Sequence, residues 1–451
     1  MKQAAAATSA FAQRRGGDAA FYVLALLGAL VIALTWAASF ALRRYGDTAY
    51  IACTLAAGLA AMTATIAAER TRPVKAIWLI VGVALLLRGA LLLMDPLLSS
   101  DIYRYVWDGK VQAAGINPYR YIPADEALAS LRDGAVYPNI NRADYAKTVY
   151  PPAAQMFFYA ATRLGENVTA MKAALLGCEA ATAAIIVLLL QRLGRPPTRI
   201  VAYAWHPLPL WQIANSGHVD ALMTALMMLG IWLAIAQKPL RGAFAVTLAA
   251  LTKPLAFLAL PALWRPWDWR LPLVCLAVIG LCYAPYLSAG KEVLGFLGGY
   301  LAEEGLTSGA RIWALAALRA LVGPQAGDFF IYAAIAALIV AALAIRTAFR
   351  KARTAESMLA DINSLLLVSL FALSPIYPWY FLAATPFVAL VGGAPVWVLT
   401  VGASLLHAEV GGAMFVPLLI RQSILYGAFL LACAYAARRP RKPATENVDD
   451  G

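Results

Sequence analysis

Runs of about twenty apolar residues recur between positions 21 and 437, each long enough to cross a hydrocarbon core as a helix. Within lipid, backbone polar groups are satisfied only in helices or closed barrels. No two-residue alternation extends over strand length, which argues against a barrel. Composition agrees: 62% of the 451 residues are hydrophobic and 14% are charged, where soluble domains carry about a quarter charged residues. Lipid must solvate most of the chain, and the expected fold class is an all-α polytopic membrane protein.

The net charge of +13 could point to nucleic acid, but its placement argues against that partner. Basic residues gather in short loops: Arg14 and Arg15; Arg70, Arg72 and Lys75; Arg192, Arg195 and Arg199; Lys238 and Arg241; Arg346, Arg350, Lys351 and Arg353; and the stretch 438–442. Loops with such a bias stay on the cytoplasmic side. The five cysteines (Cys53, Cys178, Cys275, Cys282, Cys433) lie in apolar runs without metal-ligand spacing. They read as small core residues, not as a disulfide or zinc framework.

Taken in order, residues 1–20 read as a polar, disordered cytoplasmic N-terminus. The next run, 21–42, is too long for a secretory signal and is expected to remain as the first helix. Spans near 48–68 and 76–94 follow, joined by the basic loop ERTRPVK, and the charge bias then puts segment 95–166 outside. Further spans are expected near 168–190, 200–213, 221–236, 271–287, 329–348, 362–375, 379–391, 395–410 and 414–437. That makes about twelve crossings with both termini inside. Segment 242–263 disturbs the parity, because Lys253-Pro254 stands in its middle. Proline removes a backbone bond there and lysine is costly, so two half-helices re-entering from the cytoplasm are expected. Residues 438–451 read as a disordered tail, leaving 21–437 as one transmembrane domain.

One stretch departs from the oily pattern. Residues 99–152 open SSDIYRYVWDGKVQAAGINPYRY and close NRADYAKTVYPP, crowding acids, bases and aromatics together. Ser99 or Ser100 can cap a helix over 101–114 that GINP ends, and 152–163 reads as a short interfacial helix. On the first helix Asp101, Arg104 and Asp108 share a face at i, i+3 and i+7. In one reading Asp101 simply favours the positive helix end while Arg104 bridges both acids. In the other, Asp101 is a general base just above the membrane that takes the proton of an attacking hydroxyl. Tyr103, Tyr105, Trp107, Tyr119 and Tyr121 would then offer planes for sugar rings, although interfacial aromatics alone are ordinary membrane anchors.

DIYRYVWDGKVQAAGINPY followed by VYPP resembles the first outer loop of the GT-C superfamily of integral membrane glycosyltransferases. The nearer likeness is to bacterial polyprenyl-phosphate-mannose-dependent mannosyltransferases, and a more distant one is to the PIG-M type enzymes. WHPLPLWQIANSGHVD, LTKP and PWY are similar to further short signatures of these proteins. Two additional spans before Ala76 depart from the simplest family plan. The resemblance implies a GT-C-like bundle whose large first outer loop contains short helices, with Asp101 as the catalytic base. It also implies an inverting hexose transfer, mannose first among hexoses, from a polyprenyl-phosphate sugar to a hydroxyl of a glycan, lipid or protein acceptor. The setting implied is a bacterial inner membrane with the site on the periplasmic or outer side.

Residues expected to contact substrate are Arg104, Trp107, Asp108, Asn117, Tyr119, Tyr150, His218, Asp220, Arg311, Tyr377, Trp379, Tyr380 and Arg421. His218 and Asp220 fall at an outer helix start, where they could equally be a polar cap and a favourable acid. Arg311 and Arg421 are the candidates for a cation facing the departing lipid phosphate, Arg421 ahead because arginine at membrane depth usually faces a cavity or a partner. Tyr377, Trp379 and Tyr380 could line a sugar or isoprenoid pocket or anchor the membrane interface. Arg88 could pair with Glu179 as structural glue. Of the three histidines, none stands in an H-E-x-x-H array; His206 reads as a satisfied group at a helix break, while His407 and Glu409 could form a second acid–base pair as a minor alternative, their role left open. No D-x-D occurs in the outer loops, so no cofactor is expected and no metal ligand is assigned, while a divalent metal is left open. The competing class is a transporter or flippase of a lipid-linked sugar, which the proline-broken helices would suit. A non-catalytic scaffold would leave Asp101 and Arg421 without a purpose.

Overall fold

The computed structural model describes the backbone of residues 2–407 and 417–438, with side chains from residue 18 onward. Among these residues the regular structure is entirely helical. Eight helices are long and apolar enough to cross a membrane: Asp18–Arg44, Asp47–Arg70, Pro73–Leu92, Val168–Arg192, Arg270–Leu294, Asp328–Ala348, Ala355–Leu373 and Leu418–Arg438. Six shorter apolar helices accompany them. The polytopic helical class is therefore as expected, while continuous crossings are fewer than the roughly twelve that hydropathy suggested. Prolines explain part of the difference: Pro207, and Pro378 with Pro386, break two of the counted runs into pieces by removing backbone donors. The run near 221–236 is instead one helix of 16 residues, and that near 395–410 passes after Gly402 into a 3-10 turn.

Helix α1 (Lys2–Arg44) begins inside the segment that composition made a polar tail, and turns at Gly46 into α2 (Asp47–Arg70). The buried face of α2 carries Ala57, Gly58, Ala60, Ala61, Ala64 and Ala68. Small residues let backbones approach where lipid offers no hydrophobic drive for association. Helix α3 (Pro73–Leu92) completes this group and leads into the polar segment. That segment folds as a platform: α4 (Asp101–Ala113), two 3-10 turns at Glu126–Leu131 and Tyr137–Asn139, and α5 (Pro152–Thr162), the short helix expected there. A Cβ on Gly109 of α4 would lie 2.4 Å from the Phe158 carbonyl oxygen of α5, so glycine permits the crossing.

Helix α6 (Val168–Arg192) carries Glu179, which pairs with Arg88 of α3. Arg88 also donates to the Ala204 carbonyl at 2.8 Å, so these mid-span charges satisfy each other and a helix break as expected. Lys172 of α6, unremarked in the sequence, caps the end of α3 by donating to the Leu91 and Met94 carbonyls, each at 2.7 Å. The next apolar run breaks at His206-Pro207 and includes a π-helical turn, Leu210–Asn215. His206 is satisfied there, accepting from the Leu208 N–H at 3.1 Å and bonding Thr400 Oγ1 at 3.0 Å.

Helices α7 (Asp220–Ile235) and α8 (Pro239–Ala250) form a close pair. A Cβ on Gly230 would stand 2.7 Å from the Gly242 carbonyl oxygen, and the converse holds at 2.7 Å, so only glycine fits this seam. At Lys253 the backbone becomes extended (φ −147°, ψ 131°), and the chain returns through Pro254–Ala259 and Leu260–Leu263. Leu263 lies back beside Gly242, near the start of α8. The run 239–263 is thus a V of two half-helices whose tip, at Lys253, reaches the first residue of α7. This is the broken geometry that Lys253-Pro254 suggested.

Candidate functional site

Ser100 is the residue before α4, and Ser99 Oγ accepts from the Asp101 N–H at 3.2 Å. Asp101 therefore occupies the first turn, where a carboxylate is favoured by the helix dipole. Its helix-face companions turn elsewhere. Arg104 bonds Asp108 Oδ1 at 2.7 Å and the Ala146 carbonyl at 3.1 Å, with no bridge to Asp101, so of the two readings the one in which Arg104 bridges both acids is not met. Asp108 Oδ2 accepts from Gln155 Nε2 at 2.9 Å, and the same amide reaches Thr148 Oγ1 at 2.7 Å. Gln112, bonded to Gln155 and receiving the Tyr286 hydroxyl at 2.9 Å, extends the network. A buried ion pair needs such complete satisfaction to be tolerated, so Arg104 and Asp108 act as scaffold beneath the site.

Other predicted contacts belong to the same scaffold. Trp107 is buried against Tyr137 at 5.6 Å between ring centroids. Asn117 donates to the Tyr286 carbonyl at 3.0 Å and to Ser288 Oγ at 2.9 Å, tying the platform to the chain after Arg270–Tyr283. Tyr119 donates its hydroxyl to the Tyr150 carbonyl at 2.7 Å.

Asp101 itself stands at an edge. Its side chain is 18% exposed, while neighbouring His218 is fully buried. Asn141 donates to Asp101 Oδ1 at 2.7 Å, leaving Oδ2 turned toward His218 Nδ1 at 3.9 Å. The residue after Asn141, Arg142, has φ 57°, a left-handed backbone that non-glycine residues adopt at a cost. Tyr150 and Tyr105, whose hydroxyls are 3.5 Å apart, lie close enough to feel the Asp101 charge. Burial first and that charge second push both phenols well above their ordinary range, so they serve as neutral hydrogen-bonding groups.

A ladder of planar rings rises beside this carboxylate. His218 stacks on Trp379 at 4.2 Å, and Trp379 stacks on Tyr377 at 4.4 Å with 6° between planes. The SPIYPWY turn supplies Tyr377, Trp379 and Tyr380, and the turn before α7 supplies His218. Burial, with the Lys253 charge added, drives the His218 imidazole well below the ordinary histidine range, so it stays neutral. Neither ring nitrogen has a hydrogen-bond partner among the described residues. Asp220 pairs with Lys253 Nζ at 2.7 Å, and that ammonium lies 4.9 Å from the Tyr380 ring centroid.

Cations and acids from the second loop close the perimeter. Tyr300, on the helix Leu297–Glu303, meets the Tyr380 hydroxyl with its own. Arg142 pairs with Glu303 at 2.7 Å and approaches Glu304 at 3.8 Å, while Arg311 bonds Glu304 at 3.1 Å. Burial raises the Glu304 carboxyl, and Arg311 and Arg142 pull back against it. Asp101, Tyr150, His218, Asp220, Arg311, Tyr377, Trp379 and Tyr380 are thus gathered at one place. Sequence reading passed over Asn141, Arg142, Tyr300 and Glu304. The NRADY run, an acid–base cluster in the same loop, was the available signal for the first two.

Arg421 is positioned differently. Buried in the helix Leu418–Arg438, it donates to the Leu405 and His407 carbonyls at 2.7 and 2.8 Å, where a short 3-10 helix ends. His407 faces Asp47 at 3.2 Å, and Glu409 lies outside the described residues. Among the described residues no three His, Cys, Asp or Glu side chains stand together as a metal cluster. The arrangement offers an aromatic stack with the Asp101 carboxylate against His218 and the Lys253 ammonium over the Tyr380 ring.

Residues 2–267, more than half the chain, match the family described as Alpha-(1->6)-mannopyranosyltransferase, N-terminal domain. The chain is also 29% identical over 184 residues to Alpha-(1->6)-mannopyranosyltransferase A of Mycobacterium tuberculosis (strain ATCC 25618 / H37Rv). That alignment covers 40% of this chain and 34% of the relative, so the chain spans about a third of the length of the curated relative it matches. No solved structure matches.

Proposed function

For a chain that belongs to the Alpha-(1->6)-mannopyranosyltransferase family, we propose transfer of a mannosyl residue from a polyprenyl-phosphate sugar to an acceptor hydroxyl. The observation that carries this reading is Asp101. It is an edge carboxylate with one oxygen held by Asn141 and the other directed into a cluster of aromatic rings. Asp101 removes the proton of the acceptor hydroxyl as that oxygen bonds the anomeric carbon. The bond from that carbon to the phosphate oxygen breaks, and the polyprenyl phosphate leaves with the electron pair. Attack opposite the leaving group inverts the centre, so an α product requires a β-linked donor.

The stack of Tyr377, Trp379 and His218 suits the apolar face of a pyranose, and the phenols of Tyr105 and Tyr150, kept neutral by burial and the Asp101 charge, are hydrogen-bonding groups beside it. An α-(1→6) linkage would place the primary 6-hydroxyl of an acceptor hexose, an unhindered nucleophile, at Asp101. The charge bias of the basic loops supports a site on the outer side of a bacterial inner membrane.

Transfer from polyprenyl-phosphate mannose to a mannose-terminated glycan, with the purified protein in lipid nanodiscs, tests this directly. Asp101→Asn should lower the rate by about 10²–10⁴-fold, the usual contribution of a positioned base. Undiminished transfer by Asp101→Asn would sink the base assignment. Absence of transfer with several lipid-linked sugars, combined with their movement across vesicle membranes, would favour the transporter that the broken helices also suit.

A further inference from the structure

We propose that Lys253, oriented by Asp220 and flanked by His218 and Tyr380, is the seat of the phosphate of a lipid-linked sugar. The inference rests on the donor reading above and adds to it the residue that receives the leaving group.

Four observations support it. First, the fold goes to some length to put this lysine here. The chain breaks an apolar run into two half-helices, and the extended residue at the tip of the V is Lys253. A continuous helix would have left the ammonium facing lipid or buried between helices, where it is costly. Second, Lys253 is held without being consumed. Its hydrogen bond goes to Asp220 Oδ2 at 2.7 Å, its side chain remains 15% exposed, and an ammonium has three donors to offer.

Third, polar groups beside it lack partners. Both nitrogens of His218 are buried and unbonded among the described residues, and Asp220 Oδ1, likewise unbonded, can accept only from a donor such as a sugar hydroxyl. A buried polar atom left in that condition in a native structure calls for an explanation, and a polar ligand is one. Neutral His218 can give one N–H to a phosphate or sugar oxygen and accept at its other nitrogen. Fourth, base and ammonium border the same histidine: His218 Nδ1 lies 3.9 Å from Asp101 Oδ2, and the Lys253 charge acts on the His218 ring as well.

The other nearby cations face different neighbours: Arg142 is shared between Glu303 and Glu304, and Arg311 bonds Glu304, so both stand among carboxylates of the second loop, whereas Lys253 stands beside the unbonded His218. As the anomeric bond breaks, the phosphate oxygen gains charge, and the lysine can shift its donors from Asp220 toward it.

Binding of a short-chain polyprenyl phosphate to the full chain in nanodiscs provides the test. Lys253→Met should weaken binding by about tenfold or more, as expected for a lost charge-assisted bond, whereas Arg270→Met, at an exposed pair away from the site, should stay within about threefold of the parent. The double variant Lys253→Met/Asp220→Asn should recover the parent's thermal midpoint without recovering binding. That result separates a phosphate seat from mere structural glue. Parent-like binding by Lys253→Met, or recovery of binding in the double variant, overturns the proposal while leaving the transferase reading intact. A parent protein that neither binds polyprenyl phosphate nor transfers mannose overturns the donor reading itself. Equal competition by inorganic phosphate or by phosphatidic acid vesicles would assign the seat to a free anion or a general lipid headgroup, and overturn the lipid-sugar assignment.

Discussion

Arg421 and Lys253 each carry a full charge into an apolar stretch, one within a long helix and the other at the tip of a broken one. The guanidinium of Arg421 is turned onto the Leu405 and His407 carbonyls, where it finishes a 3-10 helix that has run out of internal donors. The ammonium of Lys253 goes to Asp220, beside an aromatic stack and two unpartnered groups. Both positions follow from the same rule, that a charge at depth must find a partner. They differ in what the partner leaves over. Carbonyl capping suits arginine's fixed fork and holds structure together. A carboxylate partner on a compact ammonium keeps two donors available for an incoming anion.

The largest effect should come from the group both cations were weighed against. Asp101→Asn is expected to cut mannosyl transfer by about 10²–10⁴-fold while leaving the melting temperature within a degree or so, since Asn can keep the Asn141 contact. Next, Asp108→Ala strands the buried Arg104 and should cost about 3–5 kcal/mol of stability, read as a lowered midpoint in detergent. Replacing Arg104 and Asp108 together by Met and Leu should cost much less. If Asp108→Ala instead spares folding and abolishes transfer, the division between scaffold and site is wrong.

Arg421→Leu leaves two carbonyls without their donor and should lower stability by about 1–3 kcal/mol, with the folded fraction still binding polyprenyl phosphate. Loss of binding at unchanged stability would reverse the comparison with Lys253. The smallest effect concerns His218. Its imidazole is held well below the usual 6.5 by burial, so the unfolded chain takes up a proton that the folded site refuses. The sign follows: this contribution to stability is present above the ordinary histidine range and is lost as pH falls below it, at up to about 1.4 kcal/mol per pH unit. Thermal midpoints measured from neutral to mildly acidic pH should fall less steeply in His218→Asn than in the parent.

Some charge pairs were legible in the sequence and others were not. Arg88 and Glu179 lie 91 residues apart and were matched because mid-span charges have few eligible partners. At the rim of the bundle the choice is wide. Arg104 could have reached either acid on its helix face, and it was Gln155 and Thr148, arriving from α5 and its approach, that settled it on Asp108. The second-loop acids were also out of reach, since Arg142 meets Glu303 across 161 residues and neither stands in a motif.

Sequence alone determined the all-helical membrane class, the polar platform and the place of Asp101 at the first turn of α4. Those properties depend on local terms: hydropathy over about twenty residues, a serine before a helix, and the dipole at its start. Only the tertiary structure decided which charges do which work. It brought Asn141 to Asp101 across 40 residues and Lys253 to Asp220 across 33, and it turned Arg421 onto carbonyls. A buried charge is governed by whatever partner packing delivers to it, and that partner is set by the contact of distant helices, which no local pattern encodes.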